Sequence, residues 1–286
     1  MEQQKLLILG GDRRMAYTAS YLTEWGYRVC AYANSFAENV CGVKRMSGLC
    51  EAMDSCDNII MGIPFTRDGS TMFAPFCDEV IRTDDILDLT KPRHSFAVGN
   101  PGGFLTSCTK RGARCVDYGQ REDFALYNAV PTAEAILALL INNLPVTIWD
   151  SSILILGYGR IGKALASMLK KLGADVTASA RKAKDFAMMD TAGVNSITTG
   201  HYGGLDSFDA VVNTIPCVTA DEGFYVQLDE GTVIIDASSA PGYMDRRCSE
   251  RHGLTLIEAF GLPGKTAPAT SGRIIAKAVT DIFRQI

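Results

Sequence analysis

The sequence predicts an α/β protein of two doubly wound, parallel-sheet (Rossmann-like) domains, joined by a long helix and separated by an interdomain cleft. Three observations predict it. Short β-rich apolar runs alternate with helical patterns along the chain, the signature of parallel βαβ units. That theme occurs twice, once from Lys5 and again from Ser151. In the second occurrence the spacing Gly157-x-Gly159-x-x-Gly162 follows the apolar run Ile153–Leu156 and precedes a helical pattern. This is the strand–turn–helix setting that a dinucleotide fingerprint requires.

In the first half, Leu6–Leu9 reads as a strand, followed by the turn Gly10–Arg14 and a helix to about Trp25. Gly26 and Tyr27 lead into a second strand, Arg28–Ala33, and further strands are expected at Asn58–Met61, Ile86–Leu87, Ser95–Val98 and Arg114–Asp117. An apolar helix is expected from about Thr132 to Asn142, with Pro131 in its first turn and Thr132 or Asn128 as cap. After Ser151, Ile161, Ala164, Leu165, Met168 and Leu169 recur at helical spacing, and strands follow at Asp175–Ser179, Ala210–Asn213, Thr232–Asp236 and Thr255–Ile257. A last helix, Gly272–Ile286, carries Ile274, Ile275, Ala278, Val279 and Ile282 on one side. By likeness to dehydrogenases of this build, it returns to the first domain. The expected division is 1–128 with 272–286, and 129–271.

Hydrophobic residues make up 47% of the 286 and charged residues 21%, enough for sizeable cores. The net charge of -4 suggests neither nucleic acid nor an anionic membrane as partner. No apolar run reaches the ~20 residues of a bilayer span, and no signal peptide is expected before the first strand. The nine cysteines are scattered without a CxxC pair, as expected for reduced thiols of a cytoplasmic protein. The three histidines lack ligand spacing, so no metal is expected. A homo-oligomer is left open.

The two glycine-rich turns differ. The first lacks the three-glycine spacing and sets Asp12 where a pyrophosphate would lie, which costs electrostatically. In the second, Gly157 permits the tight turn, Gly159 lets the pyrophosphate approach and Gly162 lets helix and strand pack closely. Tyr158, Arg160 and Ile161 complete the run. The next strand ends in Ser179-Ala180-Arg181-Lys182 with no acid, whereas NAD sites usually carry one there. Ser179 would donate to a 2′-phosphate and Arg181 and Lys182 would neutralise it, which predicts NADP. Further cofactor contacts are expected from later strand ends, at Asn213, Thr214, Ile215, Pro216 and Ser238.

The run Gly157-Tyr-Gly-Arg-Ile-Gly162 resembles that of D-2-hydroxyacid dehydrogenases and their bilobal relatives. Gly10-Gly-Asp-x-Arg14, Arg121-x-Asp-x-Ala-x-Tyr-Asn128, Pro131-Thr-x-Glu134, Val212-Asn-Thr-Ile-Pro216, Asp236-x-x-Ser-x-Pro-Gly242 and Gly261-Leu-Pro-Gly264 through Gly272 narrow this. In that order they resemble the A-subunit family of dipicolinate synthase over essentially the whole chain. The resemblance implies oxidation of dihydrodipicolinate to pyridine-2,6-dicarboxylate with NADP. It also implies a partner, the flavoprotein-like B subunit, and the mother-cell cytoplasm during sporulation.

A dicarboxylate calls for forked arginine donors. Arg14 and Arg67, at strand ends of the first half, are the candidates, although a surface ion pair is the ordinary role of either. Asn128, Thr132 and Glu134, at the expected start of the linking helix, and Lys265 are further substrate candidates. Asp236, His94 and Glu134 are the candidate bases. Each has a plain structural alternative: turn capping for Asp236, a core imidazole for His94, helix-dipole stabilisation for Glu134. Two other functions compete. One is an NADP-dependent 2-hydroxy- or 2-amino-acid dehydrogenase, disfavoured because Asp236–Ala240 lacks the expected arginine and Phe260–Gly264 the expected histidine. The other is a non-catalytic NADP-binding subunit.

Overall fold

The structure is a computed structural model describing residues 4–285. Among these residues the strands form two six-stranded parallel sheets. The first contains β1 (Lys5–Leu9), β2 (Arg28–Tyr32), β3 (Lys44–Arg45), β4 (Asn58–Met61), β5 (Ser95–Val98) and β6 (Arg114–Asp117), in the order β3-β2-β1-β4-β5-β6. The second contains β7 (Ser152–Leu156), β8 (Asp175–Ala180), β9 (Asn195–Thr198), β10 (Ala210–Asn213), β11 (Val233–Asp236) and β12 (Thr255–Glu258). Its order, β12-β11-β10-β7-β8-β9, is that of the first sheet read from the other edge. Both are doubly wound, with direction reversing beside β1 and beside β7, where ligands of such sheets bind. Chain contacts divide the molecule into one unit of the residues up to Asn128 and from Ala267 onward, and a second of Ala129–Thr266.

Central strands are apolar throughout because helices cover both faces. In the first unit Leu7, Leu9, Ile59 and Phe96 pack on one side with Met53 and Phe104, while Leu6, Ile8, Ile60 and Ala97 pack on the other with Met15, Leu22, Val279 and Phe283. In the second unit Ile153, Ile155 and Val212 meet Leu165, Leu169 and Ile136, and Leu154, Val211 and Ile234 meet Phe224, Tyr225 and Leu228.

Several elements differ from expectation. Ile86 and Leu87 lie in the helix Thr83–Asp88, not a strand, and both are buried there. Two apolar residues cannot distinguish the periods, and Asp85 at the helix start accepts from the Arg82 N–H at 3.1 Å. The strands β3 and β9 are additional to those expected. Both lie at sheet edges and alternate poorly, with the two residues of β3 exposed and charged.

The linking helix spans Glu122–Asn143 and holds Pro131 inside it. It starts about ten residues earlier than Thr132, so Asn128 and Thr132 are interior residues, not caps. Glu122 and Asp123 occupy the first turn, where the dipole favours acids. Arg121 fixes Asp123 with bonds of 3.0 and 2.8 Å and holds its carboxyl below the usual range. By length and composition this helix is apolar enough to cross a bilayer. Its apolar residues serve the two cores instead, Phe124 in the first and Ala133, Ile136 and Leu140 in the second.

The closing helix, Pro268–Arg284, packs on the helix Arg13–Glu24 of the first unit. At Gly272 the two backbones approach closely. A Cβ there would meet the Arg14 carbonyl oxygen at 2.6 Å and the Thr18 nitrogen at 3.0 Å. The Thr18 hydroxyl donates to the Gly272 carbonyl at 3.1 Å. Gly272→Ala is therefore expected to lower the unfolding free energy by about 1–3 kcal/mol, the usual overpacking cost, despite alanine's better helix propensity. Urea unfolding measures this, and an unchanged midpoint would show that the helices separate without cost.

Candidate functional site

The site in the second unit is built on the ends of β7, β8, β10 and β11. Each glycine after β7 has its own cause. Gly157 has φ +96, and a Cβ on it would meet Ile215 Cγ1 at 2.7 Å and Thr214 Oγ1 at 2.9 Å. A Cβ on Gly162 would lie 2.1 Å from the Gly157 carbonyl oxygen. Gly159 is different. It has φ −81, and nothing lies within 4 Å of its would-be Cβ. Neither backbone conformation nor protein packing requires glycine there; it leaves open room before the helix Arg160–Lys171. Among the described residues no acceptor bonds the backbone N–H of Tyr158 or Gly159, and no acid stands in the first helical turn. Open room, free N–H groups and a positive helix end fit a pyrophosphate.

Around this cradle the loops bond one another. Thr214 donates from its hydroxyl and its N–H to the Leu156 carbonyl, at 2.9 and 3.0 Å. Asn213 accepts from the Ile215 N–H at 3.0 Å and donates to Asp236 at 3.1 Å. Asp236 is 1% exposed. It also accepts from the Ser238 N–H (3.1 Å) and hydroxyl (2.6 Å), the Tyr243 N–H (2.7 Å) and the Met244 N–H (3.0 Å). Five donors occupy its oxygens, so its geometry is that of a loop anchor and not of the expected base. Asn213 and Ser238 are likewise spent on Asp236. Ile215 packs against Gly157, and Pro216 is exposed just beyond it.

The end of β8 also differs from expectation. The strand runs on through Ala180, and Ser179 is fully buried. Its Oγ accepts the Gly157 N–H at 3.0 Å and lies 3.1 Å from the Thr199 hydroxyl. Ser179 thus braces the glycine turn and cannot reach a 2′-phosphate. Arg181 and Lys182 are exposed directly after it, and among the described residues neither has a carboxylate partner. The nearby acid Asp185 pairs with Lys163 at 3.0 Å. Tyr158 buries its ring, with the Lys163 ammonium 5.4 Å from the ring centre, and burial pushes its phenol up.

In the first unit the corresponding turn is sealed. Gly10 N–H donates to the Tyr32 carbonyl at 3.0 Å and Gly11 N–H to the Phe73 carbonyl at 2.9 Å. Buried Asn34 donates to the carbonyls of Gly10, Gly11 and Asp12, and Met72 fills the space beside Gly10. Asp12 caps the following helix and takes the Arg14 guanidinium at 2.8–3.1 Å. Arg14 also donates to the Ile63 carbonyl and is buried, so the candidate carboxylate receptor is already paired. Asn34 and Met72 carry no local sequence signal because their partners are distant in the chain.

Arg67 stands on the loop after β4. It is exposed, with its guanidinium 3.9 Å from the centre of the Phe73 ring, and among the described residues it has no carboxylate partner. His94 lies just before β5, at the opposite edge of the sheet from the ligand-binding strand ends. It is 1% exposed; its Nδ1 accepts the Lys91 N–H and its Nε2 meets the Met53 carbonyl, both at 3.1 Å. It is a core imidazole, not a base. Glu134 is exposed in mid-helix, and Lys265 is exposed in the short helix Leu262–Thr266 where a loop was expected.

Known proteins share both the sequence pattern and the fold. Residues 5–119 match the family model for the N-terminal domain of the dipicolinate synthase A subunit. The dipicolinate synthase A subunit of Bacillus subtilis (strain 168) is 28% identical over 291 residues, spanning 99% of this chain and 96% of that protein. The crystal structure of the dipicolinate synthase A subunit from Bacillus halodurans superposes with a TM-score of 0.86 at 26% identity, covering 98% of this chain and 97% of that one. A transhydrogenase from Sinorhizobium meliloti shares the fold, with a TM-score of 0.67 at 12% identity over 99% of this chain and 93% of its own.

His94 supplies a pH test. Burial, with the Arg93 cation adding to it, holds its pKa below the usual histidine range. The unfolded chain therefore takes up a proton that the folded chain refuses as pH falls through about 6.5. The stabilisation is complete above that pH and is lost below it, toward the depressed folded value. His94→Gln is expected to cost about 1–3 kcal/mol at pH 8 through lost buried hydrogen bonds, yet to lose less stability between pH 7 and 5 than the parent. Urea unfolding across pH measures both; parallel acid slopes would sink the assignment.

Proposed function

We propose that the chain, similar to dipicolinate synthase A subunits in sequence and fold, belongs to that family and oxidises dihydrodipicolinate to pyridine-2,6-dicarboxylate with NADP. One observation carries this reading: the open Gly159 cradle beside a β8 tip that has no acid and ends in Arg181 and Lys182, which have no carboxylate partner among the described residues. When bound, the nicotinamide accepts the hydride. The second unit is the cofactor side, with the N–H groups of Tyr158 and Gly159 on the pyrophosphate and Arg181 and Lys182 on the 2′-phosphate. The first unit is the substrate side, with Arg67 as the receptor of a substrate carboxylate. Arg14, neutralised by Asp12, shapes the turn beside it. Glu134 and Lys265, both exposed, are further candidates for substrate contact.

Loss of a hydride and a proton makes the ring aromatic, a strongly downhill step. Water suffices to take the proton, so the bonded states of Asp236 and His94 do not count against the chemistry. Positioning then supplies most of the rate. The partner is the flavoprotein-like B subunit, and the compartment is the mother-cell cytoplasm.

Calorimetric titration tests the cofactor. NADP is expected to bind more tightly than NAD. Replacing Arg181 and Lys182 together by Ala should weaken NADP at least tenfold, about 1.4 kcal/mol, while leaving NAD little changed. Tighter binding of NAD by the parent chain would overturn NADP. For the reaction, the purified chain is supplied with enzymatically generated dihydrodipicolinate and NADP, with and without the B subunit. NADPH and pyridine-dicarboxylate absorbance are expected from the chain alone. Product only when both proteins are present would favour a shared site, and no product in either case would refute the reading.

A further inference from the structure

Two Arg–Asp neighbours in the first unit are wired in opposite ways. Asp12 reaches two residues along the chain and occupies Arg14 with three bonds. Asp68 sits next to Arg67 and does not touch it. Its Oδ1 accepts from the Ser70 and Thr71 N–H groups, both at 2.8 Å, and from the Thr66 hydroxyl at 3.1 Å, and its Oδ2 accepts the Thr71 hydroxyl at 2.6 Å. These bonds hold the Asp68 carboxyl far below the usual carboxylate range. The Thr66 hydroxyl in turn accepts the Gly69 N–H at 2.9 Å. The tip of the loop is therefore a closed ring of bonds around one carboxylate, although it is exposed.

The base of the loop is also fixed. Phe65 N–H donates to the Gly99 carbonyl at 2.9 Å, Phe73 N–H to the Phe65 carbonyl at 2.7 Å, and Thr83 N–H to the Ser70 carbonyl at 2.9 Å. Phe73 carries both the backbone carbonyl that seals Gly11 and the ring beneath Arg67. The guanidinium is thus stacked, exposed and not paired with the carboxylate that follows it in the chain. An arginine so arranged costs little to order when a planar carboxylate arrives.

We infer that Asp68 is a positioning residue: its ring of bonds occupies its carboxylate oxygens, so that they do not pair with Arg67, and fixes the loop that presents that guanidinium on Phe73 to a carboxylate of the substrate. This rests on the proposed dicarboxylate chemistry. If Asp68 were only a nearby negative charge, removing it would tighten anion binding. If it positions Arg67, removing it weakens anion binding.

The test uses steady-state kinetics with dihydrodipicolinate and calorimetry with pyridine-2,6-dicarboxylate, on the full chain with its partner subunit where activity requires it. Asp68→Ala is expected to raise KM and the dicarboxylate Kd about five- to tenfold, with kcat within about twofold. Asp68→Asn, which still accepts the two backbone N–H groups, is expected to restore both to within about threefold. Arg67→Gln is expected to weaken binding about tenfold or more. Thermal unfolding of each variant shows whether it is folded, and NADP titration reports the cofactor side independently. Weakening in Arg67→Gln but unchanged or tighter binding in Asp68→Ala would overturn the positioning role. Equal weakening in Asp68→Ala and Asp68→Asn would overturn it too, because Asp68→Asn keeps the acceptor for the two backbone N–H groups and should keep the loop in place. No effect of Arg67→Gln would remove Arg67 from the site and the inference with it. A parent chain that neither binds nor makes the dicarboxylate, while still binding NADP, would instead refute the proposed reaction.

Discussion

The close approach of the helix Arg160–Lys171 to the end of β7 is the constraint on which the glycine cradle depends. It exists because Gly162 has no side chain to strike the Gly157 carbonyl. Seating the helix there aims its N-terminal N–H groups at the ends of the strands. Thr214 bonds the last residue of β7, and Ser179 bonds the first glycine. Asp236 gathers the loops after β10 and β11. The end of β8 and the loops after β10 and β11 are thereby tied to one turn, and Gly159 is left as the opening among them. Rigid polar networks of this kind are stable only when every member is satisfied, and here backbone groups and the side chains of Asn213 and Ser238 share that role.

The same doubly wound order occurs twice, and the two turns after the first strands have opposite fates. After β1, protein groups already take the N–H groups, the carbonyls and the space beside the backbone. After β7 the equivalent room stays open. One architecture thus yields a sealed turn and a cradle, and the difference lies in a few side chains brought in from the next strand and loop. The sealing of the first turn also brings Phe73 to the position on which Arg67 stacks.

Much of this is legible locally. Strands of four or five apolar residues between turn signals can be placed within about a residue of their bounds, as at Asn58–Met61 and Ala210–Asn213. The glycine spacing points to its own turn. Elements are misjudged where the local signal is short or misleading. Pro131 suggests a helix start, yet the helix runs through it because acids and Arg121 stabilise an earlier beginning. Ile86 and Leu87 are too few to show a period. Among candidate site residues, Ser179, Asp236 and His94 stand out by chemical type and position. What each does is set by bonds to groups 20 or more residues away, or to loops whose shape no local pattern encodes.

The sequence by itself determined the fold class, the repeated strand–helix theme and which half carries an open glycine turn, because periodicity and glycine spacing act within a few residues. Tertiary structure decided which polar groups remain available. Among the described residues, Arg14 is taken by Asp12 and Arg67 has no carboxylate partner; Asp236 is consumed while the N–H of Gly159 has no acceptor. The physical reason is that a side chain's chemistry depends on whether its hydrogen-bonding capacity is already filled. That depends on partners which only folding brings within about 3 Å.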